Sequence, residues 1–405
     1  MTNRLSGFTA DELSRRSKVA ADAVSEAGLD GLLILQDCDI YYFTSTAQSG
    51  ALFISGNGEG VFYVIRDFER ARAESRFPNI VPLRGLKLLP DALREGGFEN
   101  LKRIGLEFDV LPVKNYLYLK KLFPKMEFAD ASSIIRKIRS VKSPVERELM
   151  VKAGEMHTEM FNALPSLFTP GAREIDIAAG IEAFFRKSGH QGIIRMRGFN
   201  QKLFYGVALS GTSGAVTSTL DGPVSGPGLS PSFPQGASAK VIGKNEAILV
   251  DMVSAYEGYV ADGARTLYIE SLPEKAREAH DCSLMVEKRI VSLARPGAVT
   301  GEIYEEAKRM ADDSGFGENF MGLPGKNVPF VAHGIGLELD ELPVISRGGK
   351  DILEVGNVIA LEPKFVFDDI GAVGVENSYF IGPDGPELLT KAPISPIKVD
   401  IRVEP

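Results

Sequence analysis

The chain has no tryptophan, two cysteines and four histidines in 405 residues. Cys38 and Cys282 make at most one bridge, so a disulfide-stapled scaffold is excluded and a reducing compartment is the plain reading. Long apolar runs are also missing. The longest, such as "GLLIL" (31–35) and "AILV" (247–250), have core-strand length and fall far short of the roughly 20 residues that cross a bilayer. The opening "MTNRLSGFTADELSRRSK" is polar and shows no apolar stretch of the secretory kind. There is no basic excess either. Lys and Arg number 46 against 54 Asp and Glu, and the net charge of −8 is spread along the chain. Nucleic acid and anionic membrane both require a basic footprint, so neither is expected as a partner. These absences point to a cytoplasmic globular protein.

What is present is alternation. The first third sets short apolar runs against helical patterns: a buried strand in "GLDGLLILQ", a hairpin in "ALFISGNGEGVFYVI", a charged helix in "FERARAESRF", a strand in "NIVPL", a helix near "LLPDALREGG", a strand in "RIGLEFDV" and a helix in "VKNYLYLKKLF". This predicts an α/β domain over residues 1–135 and a second domain over 136–405. The second opens on a helix start signal, with Ser143 as cap, Pro144 in the first helical position and Glu146 closing a capping box. Leu149, Met150, Ala153, Met156 and Met160 continue at helical spacing. His157, at the edge of that stripe, reads as a structural histidine with a hydrogen bond; His190 and His280 read as structural or solvated. Further helices are expected at 173–188 and 273–294. Residues 210–236 are rich in Gly, Ser and Pro without periodicity, which predicts a long loop.

The stretch "AILVDMVSAYEGYVADGARTLYI" (247–269) carries the most chemistry. Two β-rich runs flank Glu257-Gly258, a two-residue turn candidate. If those residues form the turn, Tyr256 pairs with Tyr259, Asp251 pairs with Ala264, and Asp262 becomes the diagonal neighbour of Asp251 on one face. Two carboxylates in such apolar surroundings repel each other and resist desolvation. A shared proton, the nearby Arg265 or a bound divalent cation would relieve this. Downstream, Glu362 ends the apolar run "NVIALEP", Glu376 interrupts "GAVGVENSYFI", and His333 sits in "VAHGIGLELDELP". Buried carboxylates are rare unless paired or metal-bound. Four carboxylates and one histidine on separate apolar strands have the makeup of a site for one or two hard-to-borderline divalent cations.

The order Asp251, Asp262, His333 in "HGIGL", Glu362 in "LEP" and Glu376 in "VEN" resembles the pita-bread metallopeptidases: prolidase, aminopeptidase P and methionine aminopeptidase, with creatinase as a metal-free relative. "RSVKSPVERELMVKAGEM" looks like the helix that opens the catalytic domain in the prolidase and aminopeptidase P branch, and the resemblance covers nearly the whole chain. It implies an α/β N-terminal domain followed by an α+β pita-bread catalytic domain. It further implies two divalent ions, usually manganese or cobalt, with iron and zinc compatible. Asp251 would hold the first ion, Asp262 and Glu376 would bridge both, and His333 and Glu362 would complete the second. A water or hydroxide between the metals would be the nucleophile, with Glu362 as general base. A short peptide substrate and a homodimer belong to the same expectation.

Three positions depart from that pattern. Relatives usually read "HGIGLxxHExP", but the second histidine is Asp340 here. The histidine of "SGxNxAxPH" falls on Ser218, and the arginine of "RxE" falls on Gly374. In the family these positions orient substrate and serve the tetrahedral intermediate, and an ionised aspartate cannot donate as a histidine does. Losing such a donor costs on the order of 10²–10⁴ in rate unless another replaces it. Lys202, Tyr205, Lys240 and the backbone of the 210–236 loop are candidate replacements. The leading expectation is an Xaa-Pro peptidase of aminopeptidase P or prolidase type, with Ser218 and Asp340 in the substrate shell. The alternative is a non-peptidase hydrolase or lyase of a small amide-like or carboxylate metabolite. A non-catalytic binding protein is the third reading, and five intact ligand positions argue against it.

Overall fold

The alternation of the first third folds as a mixed six-stranded sheet between helices. The computed structural model describes residues 8–400, and the chain divides into two compact units between Arg139 and Ser140. The first unit contains α1 (Ala10–Glu26), β1 (Gly31–Ile34), α2 (Asp37–Thr44), β2 (Gly50–Ser55), β3 (Gly60–Val64), α3 (Phe68–Glu74), β4 (Ile80–Pro82), α4 (Leu89–Glu95), β5 (Arg103–Leu106), α5 (Val113–Leu122) and β6 (Glu127–Asp130), then α6 (Ser132–Ser140). Its strand order is β4-β3-β2-β1-β5-β6. Strands β1 to β3 run as an antiparallel meander, whereas β4, β5 and β6 join in parallel after helical crossovers.

The second unit begins with α7 (Pro144–Ala163), whose capping box of Ser143 and Glu146 is formed from both sides. Then come α8 (Glu174–Lys187), β7 (Gly206–Ser210), β8 (Ile248–Tyr256), β9 (Tyr259–Tyr268), α9 (Glu274–Leu293) and α10 (Thr300–Asp313). The chain finishes with β10 (Phe330–Gly334), β11 (Glu341–Ser346), β12 (Val358–Leu361), β13 (Lys364–Phe367), β14 (Gly371–Gly374), β15 (Asn377–Gly382), β16 (Gly385–Leu388) and β17 (Ile397–Lys398). One sheet is ordered β17-β9-β8-β7, a second β11-β10-β12-β15-β16, and β13 pairs with β14 alone. Helices α7 and α8 bury Met160, Phe161, Ile181 and Phe185 against Ile248, Val250 and Leu267 of the first sheet. Helices α9 and α10 bury Val286, Ile290, Ile303 and Ala307 against Val331, Ile359 and Leu361 of the second. Each sheet therefore turns one face to its helices, leaving the other to build a site.

Segment 210–236 is pinned rather than loose. Gly226 N–H donates to Val216 O at 2.9 Å and Gly236 N–H to Ser225 O at 2.7 Å, and Val224 joins a small apolar cluster with Val207, Leu209 and Leu249.

The three helix-associated histidines are all buried. His157 bonds the Gly263 carbonyl through Nε2 at 3.1 Å, His190 Nδ1 accepts from Gly192 N–H at 2.9 Å, and His280 bonds Thr266 and Ile394. Burial lowers His157 to about 3 and His190 to about 4, and also lowers His280. The unfolded chain takes up protons on these rings near pH 6.5, whereas the native chain takes them up only in stronger acid. Their contribution to stability is therefore complete above pH 6.5 and is lost as pH falls toward the depressed values. Between pH 7.5 and 5.0 the urea midpoint should fall less in His157→Gln than in the parent protein. Parallel midpoints would show that His157 titrates alike in both states.

Candidate metal centre

The hairpin predicted from sequence sets the frame. Glu257 (φ 48°) and Gly258 (φ 91°) form the turn, and two positive φ values in succession suit the twist of a tight hairpin. The register pairs Tyr256 with Tyr259 and Asp251 with Ala264, and it places Asp262 opposite Val253, diagonal to Asp251. The tie to the second half runs through β9. Ala264 and Glu376 exchange backbone hydrogen bonds at 3.2 and 3.1 Å, and Ser378 Oγ donates to Asp262 O while accepting from Asp262 N–H. Asp262 and Glu376 are thus neighbours because of main-chain pairing, before their side chains are considered.

His333 and Glu362 arrive together in the same way. Strands β10 and β12 pair His333 with Ala360, and Glu362 N–H donates to Val331 O at 3.0 Å. His333 Nδ1 donates to Leu339 O at 2.8 Å, because a carbonyl can only accept. In the neutral ring the Nε2 lone pair is then presented to Glu362 Oε1 at 3.6 Å and Asp262 Oδ2 at 3.8 Å. Those separations are too long for hydrogen bonds. Two ligands each about 2.1 Å from one ion stand about 3–4 Å apart. Asp262 is only 4% exposed, and its Oδ1 is buried without a hydrogen-bond partner. Asp262, His333 and Glu376 each offer one donor atom within 4.8 Å of the others. These donors fit one divalent ion.

The remaining carboxylate oxygens are occupied by a residue that the sequence analysis missed. Lys364 Nζ donates to Asp251 Oδ2 at 2.6 Å, Glu362 Oε2 at 2.7 Å and Glu376 Oε2 at 2.7 Å. Although burial disfavours the ammonium, the Asp251, Glu362 and Glu376 charges outweigh it and hold Lys364 well above the ordinary range. Burial, then the charge of Asp251, pushes Asp262 well above the usual carboxylate range; burial, then Asp262, does the same to Glu376. The signal that could have found Lys364 was a lone basic residue inside the apolar run "EPKFVF", two positions from Glu362.

The other flagged residues are placed elsewhere. Arg265 does not relieve Asp251 and Asp262. Its guanidinium donates to the carbonyls of Ala264, Glu376, Ala392 and Pro393 and to Asn377 Oδ1, so it braces the backbone behind the site. Asp340 accepts from Arg197 N–H and Gly198 N–H, both at 2.7 Å, and so anchors the segment around residue 197. Lys240 Nζ is engaged by Ser210 and Glu246, and Tyr205 packs among Phe185 and His190. The Lys202 carbonyl accepts from Gln235, while Ser218 Oγ is buried without a partner.

Residues 148–383 match the model of metallopeptidase family M24, and residues 16–141 match that of the creatinase/prolidase N-terminal domain. The chain belongs to metallopeptidase family M24. This M24 protein is 27% identical to the Xaa-Pro dipeptidase of Pyrococcus horikoshii over 384 residues, which is 94% of this chain and 98% of that one. The crystal structure of the Pyrococcus horikoshii prolidase superimposes with a TM-score of 0.78 at 26% identity, covering 94% and 99% of the two chains. The Bacillus anthracis Xaa-Pro dipeptidase gives 0.80 at 25% identity, covering 96% and 100%. The M24 fold is the expected one, an α/β N-terminal domain followed by a pita-bread catalytic domain. Membership of a metallopeptidase family brings a requirement for divalent metal. Among the described residues no helix is long and apolar enough to cross a membrane.

Proposed function

We propose that this protein is a metal-dependent Xaa-Pro peptidase of the dipeptidase (prolidase) type. The observation that carries the reading is the convergence of Asp251, Asp262, His333, Glu362 and Glu376 on one buried centre, in a chain that aligns end to end with Xaa-Pro dipeptidases. Asp262, His333 and Glu376 would hold a divalent ion; manganese or cobalt is proposed on the family resemblance, and oxygen-rich donors with one imidazole accept either. Bound there, the ion would supply Lewis acidity to a peptide carbonyl.

The chain's own groups supply the rest. Glu362 Oε1 lies free of Lys364, 3.6 Å from His333 Nε2, and is proposed as the general base, with Asp251 completing the carboxylate set. Leu339 O holds the His333 ring in the orientation that aims Nε2 inward. Ser218, with no partner for its hydroxyl, is proposed to contact substrate. Asp340 is proposed to act on substrate only through the Arg197–Gly198 backbone that it holds. A cytoplasmic homodimer with a short peptide substrate is proposed for the physiological state, testable by light scattering at assay concentration.

Manganese- or cobalt-loaded protein should release amino acids from Xaa-Pro dipeptides, and Asp262→Ala should not. Cleavage confined to Xaa-Pro-Yaa tripeptides would move the assignment to an aminopeptidase P. No release from either set by a metal-loaded protein would sink the peptidase reading and favour a small amide-like substrate.

A further inference from the structure

We propose that the Lys364 ammonium is a built-in cation that occupies one of the two metal positions, so that the centre binds a single divalent ion on Asp262, His333 and Glu376. The inference rests on the reading of these residues as a metal centre and narrows it.

The geometry of the ammonium carries the argument. An ammonium has three N–H donors, and all three are used, on Asp251, Glu362 and Glu376 at 2.6–2.7 Å. Asp251 lies on β8, Glu362 directly after β12 and Glu376 in the link between β14 and β15, so Lys364 gathers three separate segments as a shared ion would. The side chain is 1% exposed and reaches its place from the start of β13, whose residues are all buried. Charge agrees. Fully ionised, the four carboxylates would supply −4, and the ammonium with one divalent ion supplies +3. Adding a second divalent ion would give +5 and place it against the ammonium on the same three carboxylates.

A second feature interlocks with the first. Lys364 pairs with Gly374 across β13 and β14. A Cβ at Gly374 would stand 3.2 Å from Lys364 Cγ and 2.6 Å from Pro363 O, and the backbone there has φ +152°, which side chains rarely adopt. A side chain at 374 would crowd the backbone of Pro363 and Lys364 and touch the lysine stem. Asp262 and His333, by contrast, make no hydrogen bond to Lys364: Asp262 Oδ2 stands 3.8 Å from His333 Nε2, and Asp262 Oδ1 is buried without a partner.

The test is the metal content of full-length protein, stripped by chelator, equilibrated with excess Mn²⁺ and desalted, then counted by elemental analysis and by titration calorimetry. The parent chain should hold one ion, and Lys364→Gly should hold two, a doubling. Two ions in the parent chain, or none, would overturn the proposal, as would a folded Lys364→Gly that still holds one. Lys364→Met, which keeps the bulk and loses the charge, should not exceed one ion. The parent count alone decides the matter if either variant fails to fold. One ion with no Xaa-Pro cleavage would sink the peptidase reading while leaving this inference standing; two ions with cleavage would do the reverse.

Discussion

His333→Ala is expected to lower Xaa-Pro cleavage by a factor on the order of 10²–10⁴ while leaving the fold intact. The ring is held through Nδ1 alone, by Leu339 O at 2.8 Å and Gly334 O at 3.3 Å, and its Nε2 reaches no hydrogen-bond partner. Removing it therefore strips little from the core and leaves Asp262 and Glu376 without the imidazole nitrogen proposed to share their ion. Affinity for Mn²⁺ should fall in step with activity. Circular dichroism and the urea midpoint should stay close to those of the parent protein. Full activity with unchanged Mn²⁺ affinity would remove His333 from the ligand set. A collapse of the midpoint would show that the ring is a core group, in conflict with its 16% exposed side chain.

Arg265→Met should have the largest effect on stability, a loss on the order of 3–5 kcal/mol. Its guanidinium is wholly buried, and burial lowers its pKa to about 10 against the opposing charges of Glu287, Tyr379 and Glu376. It serves four carbonyls and the Asn377 side chain, and through Glu376 O it fixes the backbone that carries a proposed ligand. Substitution leaves those carbonyls without their shared partner and removes the positive charge near the buried Glu287, and leaving such groups unmade costs more than their bonds contribute. Urea denaturation would read the loss directly. Mn²⁺ affinity should weaken as well, because Glu376 loses its backbone brace. A midpoint within experimental scatter of the parent would mean that water replaces the guanidinium, and that the bracing role assigned to it is wrong.

Much of the centre was legible before any coordinates. The pairing of Asp251 with Ala264 followed from two facts, a two-residue turn and a strand period of two, and both are local. The capping box at Ser143 and the buried role of His157 were legible for the same reason. Arg265 shows where locality ends. It sits beside the aspartates in sequence but points along the strand to carbonyls more than 100 residues away. Asp340 is the opposite case. Read beside His333 as a substrate group, it is spent on the backbone of Arg197 and Gly198.

By itself, then, the order of residues determined the family, the two-domain plan, the hairpin register and the set of five candidate ligands, because each rests on short-range spacing or on residue types that apolar strands seldom tolerate unpaired. Only the tertiary structure decided how the charges of that set are balanced. Lys364 begins a two-stranded ribbon of its own, apart from the sheets that carry Asp251, Asp262 and His333. Its ammonium meets Asp251 across 113 residues of chain and Glu376 across 12. A strand's facing and its neighbour across a ribbon are set by packing, which here brings the Lys364 stem beside Gly374 and its ammonium among three carboxylates.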